Sequence, residues 1–525
     1  MWKKIIYVLI ALFIGYFIYV IFYKTITPPS NIDLEEKAKT KKVVYYLKDD
    51  AIIYADEQLG TPEDKEIRFK NVIVDLLKKD VMISGNEGVV DTETQDMVLK
   101  GKVIGKTKDN KWNLFTEEVN YKKETDKLTS NTRSKAVNNE DKTTVFGDKL
   151  ETTTTFKEII LTGNVDFQRE KDRITANSAI YYTDLKKVDA KGKVHYVGDG
   201  SDLKADSAIY EMVTEFLTAD GNVHYIGNGS EITAGHTVYD MKGQIVNATG
   251  GGMFKYPSNN VDGVYIDGIY NLKDQVLDTN SAFTLNNDGY IIKGNSLHYV
   301  VGTGDATVNS NFTVRKENMV VGGTSGSANT KTKNIFSNRM VMTSDQGDRI
   351  TSNTGEGNFE KKEFRFDGNI DGKIRGNVKD FAKSKEMLVD ANAIYFTGDN
   401  AKMYFLVHED NKYSMTRGEI KSNVNVRYKD LNASSQYSEI DAGKNVVLSR
   451  DNVRLRFRES TQMTSNYFYI DLNTEKGYAQ TNVKIINNIG VGKVDISADK
   501  AIIDNKTRKI DLIGNVVTYK DRTRI

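Results

Sequence analysis

Residues 161–240 read LTGNVDFQREKDRITANSAIYYTDLKKVDAKGKVHYVGDGSDLKADSAIYEMVTEFLTADGNVHYIGNGSEITAGHTVYD. Ile174, Leu203 and Ile232 open equivalent segments 29 residues apart, and Asn164, Lys193 and Asn222 recur at the same interval. Each of the latter follows a glycine (Gly163, Gly192, Gly221), and these dipeptides are read as turns. A period of this size marks one supersecondary unit stacked many times. Such a stack shares one continuous core and presents a long surface, which favours a scaffold, rod or conduit over an enzyme.

Within each unit apolar residues alternate with period two, the mark of a strand with one buried face. In LKADSAIY, Leu203, Ala205, Ser207 and Ile209 share one face, while Lys204, Asp206, Ala208 and Tyr210 share the other. Ile174, Ala176 and Ile180 repeat the first face one unit earlier, and Ile232, Ala234 and Val238 repeat it one unit later. The second strand places Val188, Ala190, Val194 and Tyr196 on one parity, matched by Leu217, Ala219, Val223 and Tyr225. Gly198-Asp199-Gly200 and Gly227-Asn228-Gly229 supply the positive-φ positions of tight hairpins. No helical period is read beyond the N-terminal segment.

The pattern continues outside its clearest copies. MVVGGTSGSANTKTKNIFSNRM (319–340) aligns with RITSNTGEGNFEKKEFRFDGNI (349–370), placing Phe336 thirty residues before Phe366. Asn423, Asn452, Asn482 and Asn515, each followed by valine, carry it towards the C-terminus. Spacing wobbles between about 340 and 415, a region read as degenerate repeats.

The N-terminus differs in kind. Ile5 to Tyr23 is an uncharged run of 19 residues flanked by Lys3-Lys4 and Lys24, long enough for one bilayer crossing. It exceeds a signal-peptide h-region, and no small-x-small cleavage site follows. The expectation is an uncleaved anchor, represented by Ile5, Leu12, Phe17 and Tyr23, with the amino end cytoplasmic and the remainder exported. Residues 25–42, which include Pro28-Pro29, read as a polar tether.

Charge and composition narrow the function classes. With 73 basic and 72 acidic residues the net charge is +1, which argues against nucleic acid as partner. There is no cysteine, hence no disulfide framework and no thiolate metal site. No GxxxxGK[ST], HExxH or GxSxG occurs, and Gly250-Gly251-Gly252 and Gly322-Gly323 read as turns or bulges. His195 and His224 occupy one repeat position on the polar face and read as solvated ladder residues, with a metal-binding pair as the sharper alternative. No catalytic residue, metal site or cofactor is assigned, and the chain is read as not an enzyme.

The inward face mixes large residues with many Ala, Ser and Thr, and the 28 tyrosines suit a surface meeting both acyl chains and polar groups. Two readings stay open, a dry core and an apolar groove for lipid. The groove reading assigns its lining to Ile174, Ala176, Ile180, Val188, Val194, Tyr196, Leu203, Ala205, Ile209, Leu217, Val223, Tyr225, Ile232, Ala234 and Val238.

These residues carry a resemblance. LKADSAIY with Gly221-Asn222-Val223 resembles the "I-x-A-D-x-A-x-Y…G-N-V" repeat of the periplasmic bridge proteins of lipopolysaccharide export, the OstA/LptA/LptC group. Residues 80–140 are similar to the membrane-anchored LptC type: Val90, Asp91, Thr94, Leu99, Gly101 and Val103 match one motif, and Leu114, Thr116 and Tyr121 a second. The chain departs from that family in having many more repeats. The resemblance implies an all-β fold, an elongated stack of antiparallel β-jellyroll (β-taco) repeats behind one N-terminal transmembrane helix. It divides the chain into an anchor (1–24), a tether (25–42), an LptC-like jellyroll (43–150), OstA/LptA-like repeats (151–340), degenerate repeats (341–415) and C-terminal OstA/LptA-like repeats (416–525). It further implies an inner-membrane-anchored periplasmic conduit for lipopolysaccharide or a related glycolipid. An ABC permease complex would load it, and an outer-membrane or periplasmic jellyroll would pair with the edge near Val516–Tyr519. A structural or adhesive β-solenoid rod is the alternative.

Overall fold

The computed structural model describes residues 34–375, 393–409, 413–429, 431–457, 461–489, 492–521 and 523–524. Among these are 44 β-strands, one α-helix and one 3-10 turn, and the strands pair antiparallel. The all-β antiparallel class expected from the alternation is therefore what the chain adopts. The expected anchor residues Ile5, Leu12, Phe17 and Tyr23 lie outside the described residues. Among those described, no helix is long and apolar enough to cross a membrane. The chain divides into two compact units, residues 1–228 with 233–244, and residues 229–232 with 245–525.

In the first unit the 29-residue register resolves into paired long strands. Asp172–Tyr182, Lys187–Gly198, Ser201–Glu211 and Phe216–Gly227 follow one another as antiparallel neighbours. Asp199 and Gly200, both at positive φ, close a two-residue hairpin between the second and third of these.

The Gly-Asn and Gly-Lys dipeptides are not turns. They sit in mid-strand as bulges, with Gly163/Asn164 at φ 78° and 43°, Gly192/Lys193 at 77° and 50°, and Gly221/Asn222 at 75° and 48°. Two successive left-handed residues add one residue to the ladder and bend the strand. Where the second residue is asparagine, a side-chain bond clamps the left-handed pair. Asn222 Nδ2 donates to Asp206 Oδ2 at 2.8 Å, Asn164 to Asp148 at 2.7 Å, and Asn515 to Asp499 at 2.9 Å. The aspartate of A-D-x-A-x-Y and the asparagine of G-N-V thus form one structural device.

The bend folds the sheet onto itself. Tyr210 pairs with Val188 across the ladder, while Tyr196 lies eight positions further along the same partner strand. In a flat sheet those tyrosines would stand about 26 Å apart at 3.3 Å per residue. Their ring centroids are 6.2 Å apart. The two halves of each strand therefore form two leaflets with the side chains between them.

The bend also corrects the parity. Along Asp172–Tyr182 the buried residues are Ile174 and Ala176, then Ala179 and Tyr181, because the residues facing the bulge both turn outward. Leu203, Ala205, Ala208 and Tyr210 repeat this, as do Ile232, Ala234, Thr237 and Tyr239. Ile180, Ile209 and Val238 were expected inside; each lies on the opposite face, partly exposed. Ala208 and Tyr210, expected outside, are 3% and 2% exposed.

A second difference concerns the tether. Leu34–Lys39 is a helix, and its Leu34 and Ala38, one turn apart, are buried against Ile73 and Met82 beside Tyr54. The six-residue segment is too short for the periodicity that would announce it.

In the second unit, residues 245–375 show the leaflets separately. Gly252–Tyr256, Val261–Tyr265, Phe283–Asn287, Tyr290–Gly294, Phe312–Lys316 and Met319–Gly323 form one ladder. Ile245–Thr249, Gly268–Asn271, Val276–Thr279, Leu297–Val300, Asp305–Val308 and Ser325–Asn329 form the other. Glu363–Arg375 rejoins them, one half pairing Thr354–Asn358 and the other Arg349–Thr351. The leaflets meet closely where the Phe312 ring packs on Gly326; a Cβ there would lie 2.7 Å from it.

Candidate functional site

The space between the leaflets of the first unit is the candidate site, and it is filled. Ile174, Val188, Val194, Tyr196, Leu203, Leu217, Val223 and Tyr225 are each at most 2% exposed, and Ala176, Ala205 and Ala234 at most 7%; Ile232, which falls in the second unit, is 3% exposed. Twelve of the fifteen expected lining residues are thus interior, and the remaining three are the parity errors described above. Full burial of one such aliphatic side chain stabilises the fold by about 1.5–3 kcal/mol.

At the strand ends away from the bend, aromatic residues join the leaflets at the repeat interval. Phe167 meets Tyr181 at 5.5 Å, Tyr196 meets Tyr210 at 6.2 Å, and Tyr225 meets Tyr239 at 5.4 Å between centroids. Each pair adds roughly 0.5–1.5 kcal/mol beyond its buried area. Trp112 extends the row by stacking on Phe156 at 5.6 Å.

Hydroxyls close this seam. Tyr196 Oη donates to Asp172 Oδ1 at 2.7 Å, and Tyr210 Oη to Asp172 Oδ2 at 2.5 Å. One repeat on, Ser201 replaces Asp172, and its Oγ lies 2.9 Å from Tyr225 Oη and 3.1 Å from Tyr239 Oη. Burial first, and the Asp172 hydrogen bond second, push the Tyr196 and Tyr210 hydroxyls well above the usual tyrosine range. Burial does the same to Tyr225, and takes Tyr121 up to about 12.

Sequence reasoning found Tyr196 and Tyr225 but missed their partners Tyr210 and Tyr239, the Phe167–Tyr181 pair one repeat earlier, and Asp172 and Ser201. The signal was present, since Asp172/Ser201, Tyr196/Tyr225 and Tyr210/Tyr239 all keep the 29-residue interval. Parity counted without the bulge hid it.

The outer face carries charge. His195 and His224 do not form an adjacent pair; Lys204 stands opposite both on the strand between them. A cationic neighbour in that position disfavours a second cation. His195 instead contacts Asp202 at 2.9 Å, His236 contacts Asp220 at 2.5 Å and His298 contacts Asp278 at 2.7 Å. Among the described residues no group of three or more such side chains is placed to hold a metal ion.

At the C-terminal end, Val517–Lys520 pairs with 494–497, and Thr523–Arg524 folds back onto its Tyr519 and Lys520. The neighbouring strand Lys509–Ile513 pairs with 500–504, and its Ile513 is 49% exposed.

The repeats built in this way have a counterpart among known proteins. Residues 144–245 match the family model of the LptA/(LptD N-terminal domain) LPS transport protein. The matched span holds the bulges, the aromatic seam and the filled interior. The family is a transport component and not an enzyme family. The crystal structure of LptH, the LptA homologous periplasmic component of the conserved lipopolysaccharide transport device from Pseudomonas aeruginosa, is similar at 11% identity. That likeness covers 28% of this chain and 94% of LptH, with a TM-score of 0.15. No curated protein matches the chain.

Proposed function

We propose that this chain carries lipopolysaccharide or a related glycolipid by taking acyl chains between the two leaflets of its repeats. The observation that carries the reading is the match of residues 144–245 to a lipopolysaccharide-transport family, over the residues whose interior is apolar and closed by a hydrogen-bonded seam. Parting the leaflets would break the two hydrogen bonds to Asp172, at about 3–6 kcal/mol, and separate side chains now packed together. An acyl chain between them would re-cover that apolar surface and gain about 0.8 kcal/mol per methylene it buries from water.

The finer parts of the reading rest on sequence. Residues 5–23 would anchor the chain in the inner membrane with its bulk periplasmic, an ABC permease complex would load it, and the C-terminal edge would pair with a partner jellyroll. The LptC-like assignment of residues 80–140 belongs to the same proposal.

The filled interior favours one competing reading, a structural or adhesive rod whose leaflets never part. Photo-crosslinking in cells separates the two. A photoreactive residue at Leu203 or Tyr210 is expected to capture lipopolysaccharide, while one at Lys204 or Ile209 is not. Absence of lipid adducts at both inward positions, or equal labelling outside, would establish the rod.

A further inference from the structure

The second unit carries a cleft on its outer face that lipid carriage does not use. It measures about 470 Å³, within the range of small-ligand sites. Its rim is formed by the hairpin turns 329–334 and 358–363, and its floor includes Ser327, Phe336, Glu356 and Arg365. Cross-strand pairing sets that row, with Ser327 opposite Phe336, Phe336 opposite Glu356, and Glu356 opposite Arg365.

Phe336 is the anomaly. Its neighbours across the floor of the cleft, Ser327, Glu356 and Arg365, are polar, and one 29-residue interval later the register puts Arg365 in its place. Phe366, its partner in the sequence alignment, is fully buried, whereas Phe336 is 42% exposed. Ser327 beside it is too small to cover the ring.

The polar groups around the ring are ordered and charge-matched. Asn329 Oδ1 accepts from the Lys331 and Thr332 amides at 2.9 and 2.7 Å, and its Nδ2 donates to Asp305 at 2.6 Å. Asn358 Nδ2 donates to Asn334 Oδ1 at 2.5 Å. Arg365 lies 3.4 Å from Glu356 and 3.3 Å from Glu363, and Lys402 lies 2.9 Å from Glu363. Arg365 is met by carboxylates and Lys361 is the one further cation in the lining, so the cleft holds no cluster of free cations for a phosphate, and no group of three or more ligating side chains for a metal ion is found among the described residues. It offers amide, carboxylate and guanidinium groups in fixed positions beside one open aromatic face.

That combination fits a pyranose, whose C–H face packs on a ring while its hydroxyls donate and accept at the edge. We infer that this cleft is a glycan-binding site for a hexose-containing oligosaccharide. The site stands apart from the leaflet interior, so it does not depend on the lipid reading. The sugar can belong to the transported glycolipid or to a separate glycan.

Ligand-observed saturation-transfer NMR on the full chain tests it, using two probes at about 1 mM each. One is maltoheptaose, and the other is the lipid-free oligosaccharide released from lipopolysaccharide by mild acid. Transfer to sugar ring protons is expected, falling roughly fivefold in Phe336→Ala, the equivalent of one aromatic contact, and unchanged in Leu185→Ala. Leu185 is an exposed turn residue in the other unit, 67% accessible. Transfer to the lipopolysaccharide oligosaccharide alone would assign the glycan to the cargo, and transfer to both a general glycan site. No transfer to either probe, or transfer undiminished in Phe336→Ala, would overturn the site while leaving acyl-chain crosslinking at Leu203 untouched.

Discussion

Tyr196 and Tyr210, placed far apart along the ladder, donate to the two oxygens of one carboxylate, Asp172, at 2.7 and 2.5 Å. This bridge turns a bent sheet into a closed one. Lipid entry as proposed would have to break it.

Tyr196→Phe should destabilise the first unit by about 1.5–3 kcal/mol, the range for a hydrogen bond to a charged acceptor. Tyr225→Phe, whose partner is the neutral Ser201, should cost about 1 kcal/mol. Denaturant melts of the two variants measure the difference. Equal losses would mean that the Asp172 charge contributes nothing to the seam.

Alkaline pH should loosen the same seam. Folding raises the Tyr196 and Tyr210 pKa values above the unfolded value near 10, so the unfolded chain gives up its protons first. The stabilisation is complete below about pH 10 and declines as pH rises towards the folded values. Thermal melts between about pH 8.5 and about pH 11 should show this fall, and it should be shallower in Tyr196→Phe. An identical slope would assign the fall to other groups.

The corrected parity has its own test. Leu203→Ala, inside, should cost about 2–5 kcal/mol, whereas Ile209→Ala, outside, should cost less than about 1.5 kcal/mol. The groove as first read from sequence requires equal effects at the two positions.

The bulges divide by residue type. At Gly221, φ is 75° and an added Cβ would meet Asp206 Oδ2 at 2.4 Å, so Gly221→Ala should destabilise by about 1–2 kcal/mol. Thr481 occupies the corresponding left-handed position before Asn482, at φ 64°, and a β-branched residue there is strained. Thr481→Gly should therefore stabilise, by about 0.5–1 kcal/mol after the entropy of the new glycine is subtracted. Calorimetry of both variants checks the opposite signs.

Much of the fold is legible in particular residues. Alternation in LKADSAIY identifies the strand, and Asp199-Gly200 identifies its hairpin. Gly221-Asn222 reads as a turn in the sequence, because local sequence does not say whether the chain reverses or bulges there. That one ambiguity moved Ile180, Ile209 and Val238 to the wrong face and left Tyr210 outside.

The sequence alone determined the repeat, the antiparallel strand class and one buried face per strand, because these follow from side-chain period and backbone propensity within a single unit. Only the tertiary structure decided which residues that face contains beyond the bulge, and that Asp172 joins Tyr196 to Tyr210. Such contacts depend on the angle through which the sheet folds over. That angle is the summed effect of several clamped bends on neighbouring strands, and no single segment encodes it.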